Sequence, residues 1–560
     1  LGIAGKTLSE FCHHISWAKA KISTFEGREG LIAACLEKLL KKNRVEPLPR
    51  GEAPPKISPE NAFQGISLAI YGISGSGKTA LVSRVATIQS QLKGEMSIKS
   101  KKNKFRIEKD SMGKVKLPRD SLYGPQTQRA IDNFNISNLT MPHDFINSLL
   151  LIKIAAAKAN LKLNLIDKKK SFAIVKSANY LIKNYDHDNF PVDVFQTGSG
   201  TSTNMNVNEV IANISKKVFK TQIHPNDDVN MSQSSNDVIP STINHSAYKL
   251  VIEKLIPSLE LLSKEIDIKA KKVKNIVKTG RTHLMDAMPI TFDQELYAWK
   301  SQIDNNLFSL KSCCIRLNKL PIGGTAVGTG INAHKNFSKE FIKALNKDNA
   351  IKYSEKSNKF EGISSQDDAV LLSSHLKSIA VSIIKISNDL RWMNSGPGSG
   401  ISDITLKSLQ PGSSIMPGKV NPVIPEAAIM SCSQIIGNDS TITYCGQSGN
   451  FQLNVTLPVI AYNLIQSINL ASNTAVSIAK KAVSTFVINE KNILASLNAN
   501  PILVTALNRI IGYEKGAYIA KKAYKLGKPI VEVALQETDL TEKELLKLLN
   551  PLDLTKGGIK

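Results

Sequence analysis

The sequence has little of what marks membrane-spanning or metal-cluster proteins. It contains no run of about 18 apolar residues, so no transmembrane helix is expected. Its six cysteines form no CxxC pair, which favours small core thiols in a reducing compartment over an iron–sulfur cluster. The first residues, Leu1-Gly2-Ile3, show neither a basic nor an apolar leader region. We therefore expect no signal or transit peptide there.

Acidic residues are scarce relative to basic ones. The chain has 72 Lys and Arg against 47 Asp and Glu, a formal net charge of +25. Such an excess can indicate a nucleic-acid or membrane partner. Here the lysines are scattered, arginine is infrequent, and the few aromatic residues are not interleaved with the basic ones. A solvated lysine surface is the favoured interpretation, with no nucleic-acid and no membrane partner.

Long stretches carry the periodicity of helices. Apolar residues recur every three or four positions from Ile243 to Ile266 and again from Leu372 to Leu390,. Several such helices in one chain predict a long helical bundle. Wide apolar faces on those helices favour oligomerisation.

Polar loops rich in Gly, Ser, Thr and Asn lie between the helical stretches. They span Thr197–Asn206, His224–Asn236 and Gln410–Asn421. One such loop would be an ordinary turn or helix cap. Three of them, together with the histidine of Gly280-Arg281-Thr282-His283, indicate a shared anion-binding pocket.

These loops belong to an ordered series of sequence blocks that resembles the fumarase/aspartase superfamily over roughly residues 104–560. The blocks are Asp110–Gly113, Leu122–Arg129, Gly198–Thr201, His224–Asp227, Ser234–Asp237, Gly280–His283, Gly323–Gly330 and Gly412–Asn421. Two positions favour the class II fumarase branch. At the position of Gly418, aspartases usually have Ala and argininosuccinate lyases have Gln. At the position of His283, aspartases usually have Gln.

The resemblance implies a reversible hydration of fumarate to L-malate by general acid–base catalysis. Ser413 matches the base that takes the carbon-bound proton, His283 the acid that acts through water, and Glu426 the carboxylate that orients this histidine. The positions that match substrate-binding residues are Ser199, Gly200, Thr201, Ser234, Ser235, Asn236, Thr282, Ser414, Lys419, Val420 and Asn421. A second dicarboxylate site is implied at His224, Pro225, Asn226 and Asp227.

The same resemblance implies a mainly α, three-domain fold without metal or organic cofactor. We expect a domain at 96–233, a central helical bundle at 234–490 and a small helical domain at 491–560. The family architecture implies a homotetramer whose active sites draw loops from three subunits. A cytoplasmic location is expected, or the mitochondrial matrix if the source is eukaryotic.

The first 95 residues carry an unrelated pattern. Residues 72–79 form a Walker A sequence, with Gly72, Gly77, Lys78 and Thr79 as candidate nucleotide-binding residues, after a predicted strand at 66–71 and before a predicted helix at 80–92,. The fumarase-like region begins too soon afterwards to leave room for a Walker B strand. We predict an incomplete α/β P-loop fragment without NTPase activity, whether a truncated remnant or a spurious join. The alternative is a genuine fusion that binds nucleotide weakly or recruits a partner.

Overall fold

The computed structural model describes residues 105–347 and 350–558. The Walker A segment and the strand and helix predicted on either side of it lie outside the described residues. The described part is mainly α, as predicted. Its helices are α1 (Pro125–Asn133), α2 (His143–Lys162), α3 (Lys168–Lys183), α4 (Thr201–Lys217), α5 (Ser235–Leu250), α6 (Ile256–Lys272), α7 (Phe292–Leu317), α8 (Phe337–Lys347), α9 (Lys359–Ser364), α10 (Asp367–Met393), α11 (Val423–Gly446), α12 (Leu457–Ile478), α13 (Glu490–Ala499), α14 (Asn508–Ile511), α15 (Tyr513–Leu526), α16 (Ile530–Glu537), α17 (Glu542–Leu548) and α18 (Pro551–Leu554).

The long helices pack side by side as a central bundle. Helix α10 contacts α7, α11 and α12, and α6 contacts both α7 and α12. The apolar run from Ile243 to Ile266 forms α5 and α6, joined without a break by one π-helical turn at Val251–Leu255. The helices predicted from apolar periodicity are therefore confirmed.

Helix α10 shows what holds the bundle together. Its apolar side chains at positions 372, 376, 379, 383, 386 and 390 are all fully buried, and each contributes roughly 1.5–3 kcal/mol by leaving water. The helix is long and apolar enough to cross a membrane by length and composition alone. Half of its apolar window is buried inside the protein, and its contacts with three other long helices make it a core helix of the bundle.

Strands occur only in two-stranded pairs within the described ranges 105–347 and 350–558. The antiparallel pairs are β1 (Phe105–Asp110) with β2 (Gly113–Pro118), β3 (Val277–Thr282) with β4 (Met285–Thr291), β7 (Ile404–Thr405) with β10 (Val487–Ile488), and β8 (Gly449–Asn450) with β9 (Leu453–Asn454); β5 (Lys319–Leu320) and β6 (Ser354–Glu355) are parallel. The β3–β4 hairpin carries His283 and the connection after β7 carries Ser413, two of the three predicted catalytic residues.

The described residues form two hydrophobic cores. One cluster contains buried side chains from between Val115 and Ile493, and a smaller one contains side chains from between Leu503 and Leu549. The four free cysteines of the described part include Cys313 and Cys314, both buried on α7. Burial raises the pKa of the Cys313 thiol to about 11, so these groups stay protonated and act as small core side chains.

Candidate active site

The signature loop Gly412–Asn421 closes on itself between β7 and α11. The Gly412 N–H donates to the Lys419 carbonyl at 2.9 Å, and Asn421 Nδ2 donates to the Gly412 carbonyl at 2.8 Å. These two bonds fasten the ends of the loop together. The segment between them projects outward, and most of its side chains are exposed to solvent.

The Ser413 hydroxyl lies inside this loop and faces two backbone donors. Its Oγ accepts hydrogen bonds from the Met416 N–H at 3.0 Å and the Ile415 N–H at 3.2 Å. Donors aimed at an oxygen favour its charged form. The geometry therefore suits a serine that must carry negative charge. The side chain borders an open cavity of about 460 Å³, which is also lined by Lys419 and Val420.

His283 stands at the tip of the β3–β4 hairpin. Thr282 and Met285 are paired across the hairpin, so His283 and Leu284 form its two-residue turn. Their φ angles are 55° and 61°, as a type I′ turn requires and as glycine or asparagine usually supplies. His283 is exposed to solvent in this turn.

A buried ion network holds this hairpin in place. Arg281 donates from Nη1 to Asp403 at 2.8 Å, and the Lys278 ammonium lies 3.1 Å from Asp403 and 2.7 Å from Glu295. Both Lys278 and Asp403 are almost completely buried. Asp403 immediately precedes β7, so the network ties the histidine hairpin to the strand that leads into the signature loop.

The loop before α4 brings Ser199, Gly200 and Thr201 together. Ser199 and Thr201 share a hydrogen bond between their hydroxyls at 2.8 Å. Gly200 has a φ of 72°, which glycine adopts without strain. A Cβ on Gly198 would stand 1.8 Å from the Val455 carbonyl. Only glycine therefore allows this loop to lie against the segment that precedes α12.

The loop before α5 is organised by Asp237. Ser234 caps α5, its N–H donates to Asp237 Oδ1 at 2.9 Å, and Asp237 Oδ2 accepts the N–H groups of Gly323 and Thr325 at 2.8 and 2.9 Å. Asn236 reaches the same Gly323–Gly330 loop through the Ala326 carbonyl. Burial raises the pKa of Asp237 to about 6. The spacing Ser-x-x-Asp is a capping box, a sequence signal that identifies this aspartate.

The proposed second dicarboxylate site forms a single π-helical turn. His224 caps Pro225–Val229, and its Nδ1 accepts the Asp227 N–H at 3.1 Å. His224, Asn226 and Asp227 are exposed. Asp228 is buried instead, because its carboxylate accepts the His224 N–H at 2.7 Å and pairs with Lys170 at 2.9 Å.

Several of the predicted site residues do not meet within one chain. Glu426 lies in the first turn of α11, and in the described part of the chain no hydrogen bond or ion pair joins it to His283. The cavity at Ser413 is lined by residues between 408 and 420, so His283 is not part of it. Among the described residues, no group of three or more His, Cys, Asp or Glu side chains could hold a metal ion.

Comparison with known proteins finds matches over most of the chain. Residues 113–437 match the family model described as lyase, and residues 503–556 match that of the fumarase C C-terminus. Class II fumarate hydratase from Xylella fastidiosa (strain 9a5c) is 52% identical over 461 residues, which cover 82% of this chain and 97% of that protein. The corresponding protein from Bacillus subtilis is 43% identical over 457 residues, 81% of this chain and 99% of its own length.

Comparison of the fold with solved structures finds the same family. A crystal structure of recombinant class II fumarase from Schistosoma mansoni matches with a TM-score of 0.77 and 36% identity, covering 80% of this chain and 99% of that one. The resemblance read from the sequence blocks is thereby confirmed. The chain belongs to the fumarase/aspartase superfamily, within its class II fumarase family.

Proposed function

We propose that this chain is a fumarate hydratase that interconverts fumarate and L-malate, with Ser413 as the base. The observation that carries the proposal is the pair of backbone N–H groups, from Ile415 and Met416, that converge on the Ser413 hydroxyl oxygen. A serine is normally a poor base because its alkoxide is unstable in water. Two fixed donors and the nearby Lys419 stabilise that alkoxide.

In the dehydration direction, Ser413 takes the proton from the carbon next to a carboxylate of malate. The electron pair left behind passes into that carboxylate and gives a dianionic aci-carboxylate. Lys419 and Asn421 hold this group and offset its growing charge. His283, through a water molecule, protonates the departing hydroxyl, which leaves as water while fumarate forms. In the reverse direction His283 accepts the proton from the attacking water.

The remaining predicted residues bind the substrate's polar groups. The hydroxyls of Ser199, Thr201 and Ser234 and the amide of Asn236 are donors of the kind that recognise carboxylates. Thr282, Ser235, Ser414, Gly200 and Val420 are assigned to the same pocket, and Glu426 is assigned the task of orienting His283. The turn at His224–Asp227 is assigned a second dicarboxylate molecule, in keeping with its exposed side chains.

Complete sites require more than one chain in this proposal. His283, Glu426 and Ser413 do not meet within one protomer, whereas bundle helices leave large apolar side chains exposed. These include Phe308 and Ile315 on α7, Val381 on α10, and Met430 and Tyr444 on α11. A homotetramer that packs the bundles together covers these faces. It also brings loops of three subunits into each active site. The proposed location is the cytoplasm, or the mitochondrial matrix in a eukaryotic source.

The test is the ultraviolet absorbance of fumarate, whose conjugated double bond absorbs where malate does not. Purified protein is given L-malate in one cuvette and L-aspartate in another. Rising absorbance with malate alone supports a hydratase. A rise with aspartate alone would keep the superfamily and overturn the assignment of His283 and Gly418. No rise in either would contradict the proposed reaction.

A further inference from the structure

Lys153 is a fully buried lysine in the middle of α2. Lysine is almost never buried completely unless it is paired. Its ammonium donates to Asn230 Oδ1 and Gln233 Oε1, both at 3.0 Å. Both acceptors are neutral amides. Among the described residues, no carboxylate lies within ion-pair distance of this ammonium, so the hydrogen bonds satisfy its donors without neutralising its charge.

The acceptors of Lys153 belong to the segment that carries the substrate-binding residues before α5. Gln233 directly precedes Ser234 in the chain. Asn230 Oδ1 also accepts Asn204 Nδ2 at 3.1 Å, and this amide reaches Ser235 Oγ at 3.0 Å. The ammonium is therefore linked to Ser235 through two amides.

The same network reaches the other binding loop. Asn204 and Asn208 both lie on α4 and both donate to Asn230 Oδ1, at 3.1 and 3.2 Å. Helix α4 begins at Thr201, the last residue of the Ser199–Thr201 loop. Lys153 thus bonds to Asn230, the residue whose amide also links the segment before α5 to helix α4.

The nearest counter-charge is committed to other partners. Asp237 is fully buried, and its two oxygens already accept the N–H groups of Ser234, Gly323 and Thr325. Burial lowers the pKa of Lys153 to about 7, and the charge of Asp237 only partly opposes this. A buried charge is a weak source of stability, since apolar replacements are often neutral or stabilising. A pKa near 7 leaves this group partly neutral in the free protein, and a dianion bound close to the two segments favours its charged form.

We propose that Lys153 is a positioning residue for the dicarboxylate. It fixes the Ser199–Thr201 segment against the Ser234–Asn236 segment, and its positive charge, which lies behind these segments, is complementary to the charge of the bound dianion. The inference rests on the proposed function, because those two segments are the assigned binding loops. It assigns Lys153 no contact with the substrate. Its effect is expected on binding of the doubly charged molecule more than on the chemical step.

The experiment replaces Lys153 with Met, which fills the space of the stem without charge or donors, and with Arg, which keeps the charge. In Lys153→Met, KM for malate should rise at least about tenfold while kcat changes little. This is the pattern expected when a variant loses an interaction that stabilises the bound substrate and the transition state equally. Lys153→Arg should recover part of the affinity. Ile152→Val is the matched control, since Ile152 is fully buried in the same helix and should leave KM unchanged.

A second measurement separates charge from simple packing. Succinate, a dicarboxylate, and butyrate, its monocarboxylate counterpart, are titrated calorimetrically into wild type and Lys153→Gln. Loss of the charge should weaken succinate binding several-fold more than butyrate binding. Equal weakening of both, or a lowered melting temperature with unchanged KM, would overturn the proposal and leave Lys153 a structural residue. Because succinate binding needs no turnover, an inactive wild type that binds succinate would contradict the proposed reaction and not the role of Lys153.

Discussion

Arg281 Nη1 lies 2.8 Å from Asp403 Oδ2, although the two residues are 122 positions apart. The pair joins the hairpin that presents His283 to the strand that leads into the Ser413 loop. Asp403 also faces the Lys278 ammonium at 3.1 Å, so one buried carboxylate serves two cations. The histidine turn is therefore held by an ion network as well as by strand pairing.

Asp403→Asn should lower both stability and turnover. Removing one partner from a buried ion network costs about 3 kcal/mol in the free energy of unfolding. A hairpin that shifts by even a fraction of an ångström displaces His283, so kcat should fall roughly tenfold to a hundredfold. Urea unfolding and initial rates measure the two effects. Asp304→Asn is the control, because its pair with Lys300 is partly exposed and should cost about 1 kcal/mol or less.

Ser413→Ala should abolish most activity while leaving the fold intact. The variant removes the proposed base, and general acid–base groups typically contribute about 10²- to 10⁴-fold in rate. Ser433→Ala tests for non-specific effects, since Ser433 is exposed on α11 and its hydroxyl donates to the Ile429 carbonyl of the same helix. Full activity in Ser413→Ala, measured as fumarate formed from malate, would eliminate this serine as the base.

His245 should make the protein sensitive to acid. Its ring is buried and stacked on Tyr353, with the ring centroids 4.7 Å apart, and burial lowers its pKa to about 3. The unfolded chain therefore binds more protons than the folded one between about pH 3 and pH 6.5, and stability falls as pH falls through that window. From about pH 6.5 to pH 5 the loss from this group is roughly 2 kcal/mol.

His245→Phe keeps the stacked ring and removes the titration, so its stability should fall less over the same interval. Asp237 acts in the opposite sense: its raised pKa means that the folded state gains protons as pH falls, which adds stability. The comparison of variant with wild type isolates the histidine from this background. Parallel profiles of urea unfolding against pH would contradict the assignment.

Local patterns in the sequence predicted the long helices correctly and singled out the polar loops as site candidates. The spacing of Leu372 to Leu390 fixes α10, since one buried face of a helix repeats every 3.6 residues. The signature loop was identified because its residues are contiguous. Its roles, and those of His283 and Glu426, remain predictions that the experiments above address.

Two supporting residues left no such local signal. Lys153 interrupts an apolar helical run, and its acceptors lie 77 and 80 positions away. Asp403 follows a glycine-rich stretch and meets Arg281 only in the folded chain. Long-range polar contacts depend on tertiary packing, which neither periodicity nor spacing encodes. The sequence therefore indicated which loops are candidates for substrate binding, and not which residues hold those loops in place.

Mixing two inactive variants tests whether active sites are shared between subunits. Ser413→Ala lacks the proposed base and His283→Asn the proposed acid, and each alone should be nearly inactive. If both residues of a site came from one chain, every mixed tetramer would stay inactive. If they come from different chains, random reassembly places an intact Ser413 and an intact His283 together in roughly a quarter of the sites.

Co-expression with two affinity tags, followed by purification through both, yields the mixed assemblies. Recovery of about a quarter of wild-type turnover in randomly mixed protein is the expected result. The control mixes Ser413→Ala with Lys419→Ala, both in the same loop of one chain, for which no recovery is expected because each chain lacks a part of the same segment. Recovery in this control as well would mean that the Ser413 and the Lys419 of one active site come from different subunits. Absence of recovery in both mixtures would place Ser413 and His283 of one active site in the same chain.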